Sequence, residues 1–201
     1  MRNSYSHALL AAALLAAAPS AAIRAQWSVA VGLRAARFSG GAEEPATGRS
    51  LRPYRPTLLE AGVSRLGRSV GVGLRVYYAS SSLALEGAEA VAAVKDAIEV
   101  YGLTPEVSAR ISRLGPDGVL RAFAGPLLEI WKLADLGSRV RVGASASLGL
   151  EVPFGGRWSG AARLGAGVTP ASPFTEEDLD PALRRRALWR REITAELSYR
   201  L

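Results

Sequence analysis

The 201-residue sequence has no cysteine, which excludes a disulfide framework, a thiol nucleophile and a cysteine-held metal. Its one histidine, His7, lies in a leader-like first segment. Without that segment the chain has neither His nor Cys, so a serine nucleophile would lack its usual base. The longest apolar run, "HALLAAALLAAAPSAA", falls short of the roughly 20 residues a membrane helix needs. There is no internal repeat and no low-complexity tail, and the Gly-rich pieces "GVGL" and "SGG" match no phosphate-binding fingerprint. The net charge of +7 is spread along the chain instead of gathered on an aromatic-laced patch, which speaks against nucleic acid as a partner.

What is present begins with export. Arg2, the short apolar run and a small-residue exit read as a secretory signal peptide over residues 1–25, cleaved after Ala22 or Ala25. Residues 26–201 are then one mature domain.

That domain is written in alternation. In "RVRVGASASLGLEV", residues 139–152, every second side chain from Val140 to Val152 is apolar, and the intervening ones run Arg, Arg, Gly, Ser, Ser, Gly, Glu. Successive side chains of a strand point to opposite faces, so this is a strand with one oily and one polar face. The pattern predicts eight strands, near 27–37, 56–66, 69–80, 101–113, 118–131, 138–152, 157–168 and 188–201. Each is long enough to cross a bilayer when tilted. The fifth is irregular. Pro126 removes a ladder donor, Phe123 and Leu127 fall on the polar face, and a bulge is expected there. "LGRS", "LGPDG" and "PFGG" are tight turns. They alternate with long segments at 38–55, 81–100 and 169–187 and a shorter one near 132–137. Within 81–100, "LEGAEAVAAVKDAIEV" places Ala88, Val91, Val94 and Ile98 at helical spacing, which reads as a short capping helix or as extensions of the flanking strands.

The polar faces together hold Arg34, Glu60, Arg75, Glu106, Arg110, Arg121, Glu129, Arg141, Glu151, Arg163, Glu192, Glu196 and Arg200. Facing lipid, each mid-bilayer Arg would cost about 2–4 kcal/mol, so in a membrane they must point inward. Eight strands leave an interior just wide enough for side chains to fill it, and a buried charge must find a partner there. The expectation is a charge network that plugs the lumen. In water the faces would swap, giving a lipocalin-like periplasmic binding cup. Against the cup stand the Val, Ala and Leu character of the oily faces and the four tryptophans, Trp27, Trp131, Trp158 and Trp189, at strand ends. There they read as the aromatic girdles of a membrane barrel.

The whole mature chain resembles the small eight-stranded outer-membrane β-barrels, the group that includes the OmpA transmembrane domain, OmpX and the opacity-type proteins. The most specific part is the C-terminal "REITAELSYRL". Its Ile193, Leu197, Tyr199 and Leu201 alternate like that family's assembly signal, although the family usually ends in Phe. The resemblance implies an all-β, antiparallel up-and-down transmembrane barrel. It also implies outer-membrane localisation, a monomer and the barrel-assembly machinery as a partner. Its expected role is structural, adhesive or surface-interacting, with a passive small-solute channel as the alternative. Barrels of this kind that act on lipid A rely on a histidine, which cannot be mapped onto residues 26–201, so no catalytic residues and no cofactor are expected. "TEEDLD" offers Glu176, Glu177, Asp178 and Asp180 without the spacing of a calcium loop, and no metal is assigned. The basic cluster Arg184, Arg185, Arg186 and Arg191, beside Trp189, suits lipopolysaccharide phosphates on the outer rim, with Arg190 turned into the lumen.

Overall fold

The computed structural model describes residues 26–87, 91–134 and 136–201; the expected signal peptide lies outside the described residues. The chain forms β1 (Gln26–Ser39), β2 (Ala42–Glu43), β3 (Ser50–Tyr54), β4 (Thr57–Leu66), β5 (Val70–Glu86), β6 (Val91–Leu114), β7 (Gly118–Leu133), β8 (Gly137–Gly155), β9 (Trp158–Thr169), β10 (Arg184–Arg185) and β11 (Leu188–Arg200). All pairings are antiparallel. Eight strands close a ring in the order β1, β4, β5, β6, β7, β8, β9, β11, with β11 returning to β1 from Ser28↔Arg200 to Ser39↔Trp189. Closure removes the free edges that would otherwise expose unpaired backbone to lipid.

Side-chain burial is inverted relative to a soluble domain. Val140 is 63 % exposed, Leu164 64 % and Ile193 61 %, whereas Arg34, Glu60, Arg75 and Glu129 are buried. The oily series of each strand forms the outer belt and the polar series faces the lumen, the arrangement a barrel needs in lipid. A lipocalin-like cup would have the faces the other way round.

One alternative is decided and two expectations change. In the second long segment the strand-extension reading holds over the helix: among the described residues, which leave out Ala88, no helix forms, Val91 to Leu114 is one continuous strand, and Leu83–Glu86 pairs with Val91–Val94 above a register shift at Ser81/Leu83. Strands β5 and β6 therefore run well past the belt, and β3 adds alongside β5 there. The bulge lies in β6 between Arg110 and Ser112, not at Pro126. Pro126 keeps register with β8 opposite Ala144, while the β6–β7 ladder is interrupted between Leu103↔Leu128 and Val107↔Ala124, the stretch that carries Pro105 and Pro126. Finally, Trp131 is no girdle residue. It is fully buried inside the barrel, whereas Trp27, Trp158 and Trp189 are about half exposed on its outside.

The three tight turns and both ends of the described chain share one end of the barrel, the turn end; the long connections share the other, the loop end.

Candidate functional site

Among the described residues the fold concentrates polar chemistry in the lumen, and it is layered. At the loop end Trp131, Ile98, Leu58, Leu127 and Phe38 from the strands meet Phe174 from the β9–β10 connection in an apolar cluster. Phe38 and Trp131 pack edge to face at 5.9 Å. The connection carrying Phe174 is tied down by two β8 arginines. Arg139 donates to Asp178 at 2.9 Å, and Arg141 donates to the Ser172 carbonyl at 2.7 Å. Burial raises the Asp178 carboxyl, but the Thr175 amide and hydroxyl and the Arg139 guanidinium outweigh it and hold the group below its ordinary range.

Below this cluster Glu129 is the node. Its carboxylate accepts from Arg190 Nη1 at 2.9 Å, Trp131 Nε1 at 3.1 Å, Thr169 Oγ1 at 3.1 Å and the Tyr77 hydroxyl. Arg190 also meets Glu192 at 2.7 Å. The Tyr77 ring lies over Gly102 on β6, where a Cβ would sit 1.9 Å from Tyr77 Cζ, so any larger residue at this cross-strand position must displace the ring. Arg34 stands near the Tyr77 ring, 5.0 Å from its centroid, and pairs with Glu60 and, at 3.3 Å, with Glu192.

The next layer centres on Arg75, which reaches Glu60, Glu106 at 2.9 Å and Glu196 at 2.7 Å. Arg163 shares Glu106 at 3.2 Å and Glu196 at 3.3 Å, and its guanidinium lies 3.5 Å over the Phe123 ring. That stacking explains an aromatic on the polar face of β7: a delocalised guanidinium is favoured over a π face. A void of about 20 Å³ lies between these layers, and one of about 30 Å³ lies on the turn-end side of Arg163, beside Arg121 and Glu151.

At the turn end the lumen widens into an open vestibule of about 710 Å³. Arg121 approaches Glu151 at 3.6 Å there. Arg110 and Arg200 line the same space and make no ion pair among the described residues.

All thirteen polar-face residues named from the sequence thus lie on the inner side of the strands. Arg34, Glu60, Arg75, Glu106, Arg163, Glu192 and Glu196 are joined in one chain of ion pairs, which Arg190 extends to Glu129. Arg121 and Glu151, which among the described residues pair only with each other, and Arg110, Arg141 and Arg200 stand outside it. The sequence did not mark Tyr77, Trp131 and Thr169 as lumen residues, although each has the strand parity of a residue assigned to the polar face: Arg75, Glu129 and Arg163.

Outside the barrel, Arg184 pairs with Glu43 in the β10–β2 ladder, Arg185 meets Glu176 at 2.8 Å, and Arg186 meets Glu43 at 3.4 Å. Arg191 is exposed on the outer wall, directly across from exposed Arg37. At the C-terminus Ile193 and Leu197 face outward, Tyr199 packs on Trp158 at 4.9 Å, and the Leu201 amide donates to the Trp27 carbonyl at 2.9 Å.

The fold defines a class by architecture, the closed eight-stranded antiparallel barrel, which it shares with small outer-membrane proteins of known structure. Neisserial surface protein A superposes with a TM-score of 0.63 at 8% identity, covering 87% of this chain and 97% of its own. The outer membrane protein OprG from Pseudomonas aeruginosa superposes with a TM-score of 0.57 at 9% identity, covering 89% and 97%. At such identities the likeness is one of architecture. The sequence matches no protein-family model and no curated protein.

Proposed function

We propose that this chain is an integral outer-membrane protein with a structural or surface-interacting role, and that its lumen is plugged by charge. The observation that carries this reading is the Glu129 node under the Trp131–Phe174 cluster. Four donors converge on one buried carboxylate, and an apolar layer closes the mouth above it. A pore needs a continuous wet path, and voids of about 20 and 30 Å³ hold at most a water or two each. Planar-bilayer recording of the refolded protein tests it. Absence of steady single-channel current is the expected result; large, sustained openings would establish the passive channel instead.

A second reading concerns lipopolysaccharide. Arg37 and Arg191 face each other across β1 and β11 beside Trp189, and like charges directly opposite are unfavourable unless an anion lies between them. Neither has a carboxylate partner among the described residues, whereas Arg185 and Arg186 of the cluster are already neutralised by Glu176 and Glu43. Phosphate contact therefore falls chiefly on Arg191 and Arg37, with Trp189 at the interface. Glutamine at Arg37 and Arg191 should weaken binding to lipopolysaccharide-containing bilayers more than glutamine at Arg184–Arg186. The reverse order would refute this assignment. Ile193, Leu197, Tyr199 and Leu201 remain the proposed signal to the assembly machinery.

A further inference from the structure

The lumen's charges are segregated along its axis. In the paired layers Arg34, Arg75, Arg163 and Arg190 face five carboxylates, Glu60, Glu106, Glu129, Glu192 and Glu196, and each of these arginines makes at least one ion pair at 3.3 Å or closer. The vestibule reverses the balance: Arg68, Arg110, Arg121 and Arg200 line it with only Asp117 and Glu151.

Two features mark this excess as built. Arg110 and Arg121 are direct cross-strand partners, so two guanidiniums face each other on the inner wall beside the β6 bulge. Such a pair is unfavourable unless an anion is shared between them. Arg121 is also more than nine-tenths buried, yet its Nε and Nη1 have no hydrogen-bond partner, and Arg200 Nε has none either. Glu151, at 3.6 Å from Arg121 Nε, is too far to satisfy it. An unpaired donor on a buried guanidinium is expensive, and an oxyanion in the vestibule would relieve that cost.

We propose that the vestibule is a blind anion cup that takes a phosphate group from the turn end, on Arg110, Arg121 and Arg200. The group cannot travel onward, because the next layer is richer in carboxylate than in guanidinium. A volume of about 710 Å³ admits a phosphomonoester or a lipid headgroup as well as the bare ion. That the cup is blind rests on the plugged lumen proposed above, whereas phosphate binding at the mouth is read separately from conductance.

The test is calorimetric titration of inorganic phosphate into the protein refolded in a phosphate-free maltoside, with chloride as the reference ion. Saturable binding of one phosphate per barrel is expected. Arg121→Gln and Arg200→Gln should each weaken it about tenfold or more, since each removes a charge-assisted bond. Glu151→Gln should tighten it by removing the competing carboxylate. Because Arg121→Gln could impair folding, Arg110→Gln supplies the second arm. It should weaken phosphate binding while leaving the unfolding midpoint unchanged or higher, as one of two facing like charges is gone. Repeating the titration in phosphatidylglycerol nanodiscs separates the sources: reduced affinity for added phosphate identifies the lipid headgroup as occupant, and unchanged affinity identifies a soluble phosphate. No saturable binding, or the same affinity in all three arginine variants, would overturn the proposal.

Discussion

Replacing Glu129 with alanine is the most informative single perturbation of the lumen. The side chain is 1 % exposed and is the acceptor for Arg190, Trp131, Thr169 and Tyr77. Removing one partner of a buried ion pair typically costs about 3–5 kcal/mol, because the other charge is left without compensation. Here Arg190 keeps Glu192 at 2.7 Å, which pulls the charge contribution toward the low end. The three neutral donors pull the other way, since a stranded buried donor costs about 1–3 kcal/mol and several cannot relax independently. The expected loss for Glu129→Ala is therefore about 4 kcal/mol. Glu129→Gln retains shape and one acceptor oxygen and should cost about 2 kcal/mol, the difference between a charged and a neutral acceptor. Reversible urea unfolding in micelles, followed by tryptophan fluorescence and by the gel mobility of the folded barrel, measures both. A loss under about 1 kcal/mol for the alanine variant would mean that Glu129 is not the node described, because no buried pair of this kind is released so cheaply. Adding Arg190→Gln to Glu129→Gln should then cost less than the sum of the two single changes.

Three further outcomes follow from the same geometry. Trp131→Ala should cost about 3–5 kcal/mol, read from the same urea curves, since it empties the centre of the apolar layer, and should leave the bilayer current unchanged because the ion-paired layers below still fill the lumen. Gly102→Ala should cost about 1–3 kcal/mol by displacing the Tyr77 ring, read from the same urea curves. Acid should loosen the β9–β10 connection. The folded Asp178 carboxyl binds its proton less readily than in the unfolded chain, so its contribution is complete above the ordinary carboxylate range and is lost as pH falls through the depressed value. Protease added to the refolded barrel should cut near residues 175–183 at lower pH than it cuts Asp178→Asn; equal sensitivity of the two at neutral pH would refute the role of Arg139–Asp178.

Strand parity carried most of what could be read in advance. It placed all eight wall strands and the inner position of residues as distant as Arg34 and Glu192, because a closed sheet obliges every second side chain to share one environment. It was overruled where another cue was preferred. Trp131 has the parity of Glu129, but its position near a strand end suggested a girdle. Val91, Val94 and Ile98 fit a helical stripe as well as a strand, and pairing with β5 decided between them, a tertiary contact that spacing within one segment cannot carry. The bulge was expected at Pro126, the visible irregularity, yet Pro126 keeps its register and the extra residue sits at Ile111. Which carboxylate each arginine meets depends on the stagger between strands around the ring. Arg75 with Glu196, separated by 121 positions, has no local signature.

The β1–β11 seam joins Ser28 to Arg200, the two extremes of the described chain. Bringing ends so far apart together costs about 4–5 kcal/mol of loop-closure entropy, which is recovered only after the register has zipped from Arg200 to Trp189. Until that moment β1 and β11 are both bare edges, and bare backbone in hydrocarbon costs several kcal/mol per unpaired group. Insertion is therefore all-or-none in its last step. A chain stalled before Leu188 is not a smaller barrel but a seven-stranded sheet with two unpaired margins.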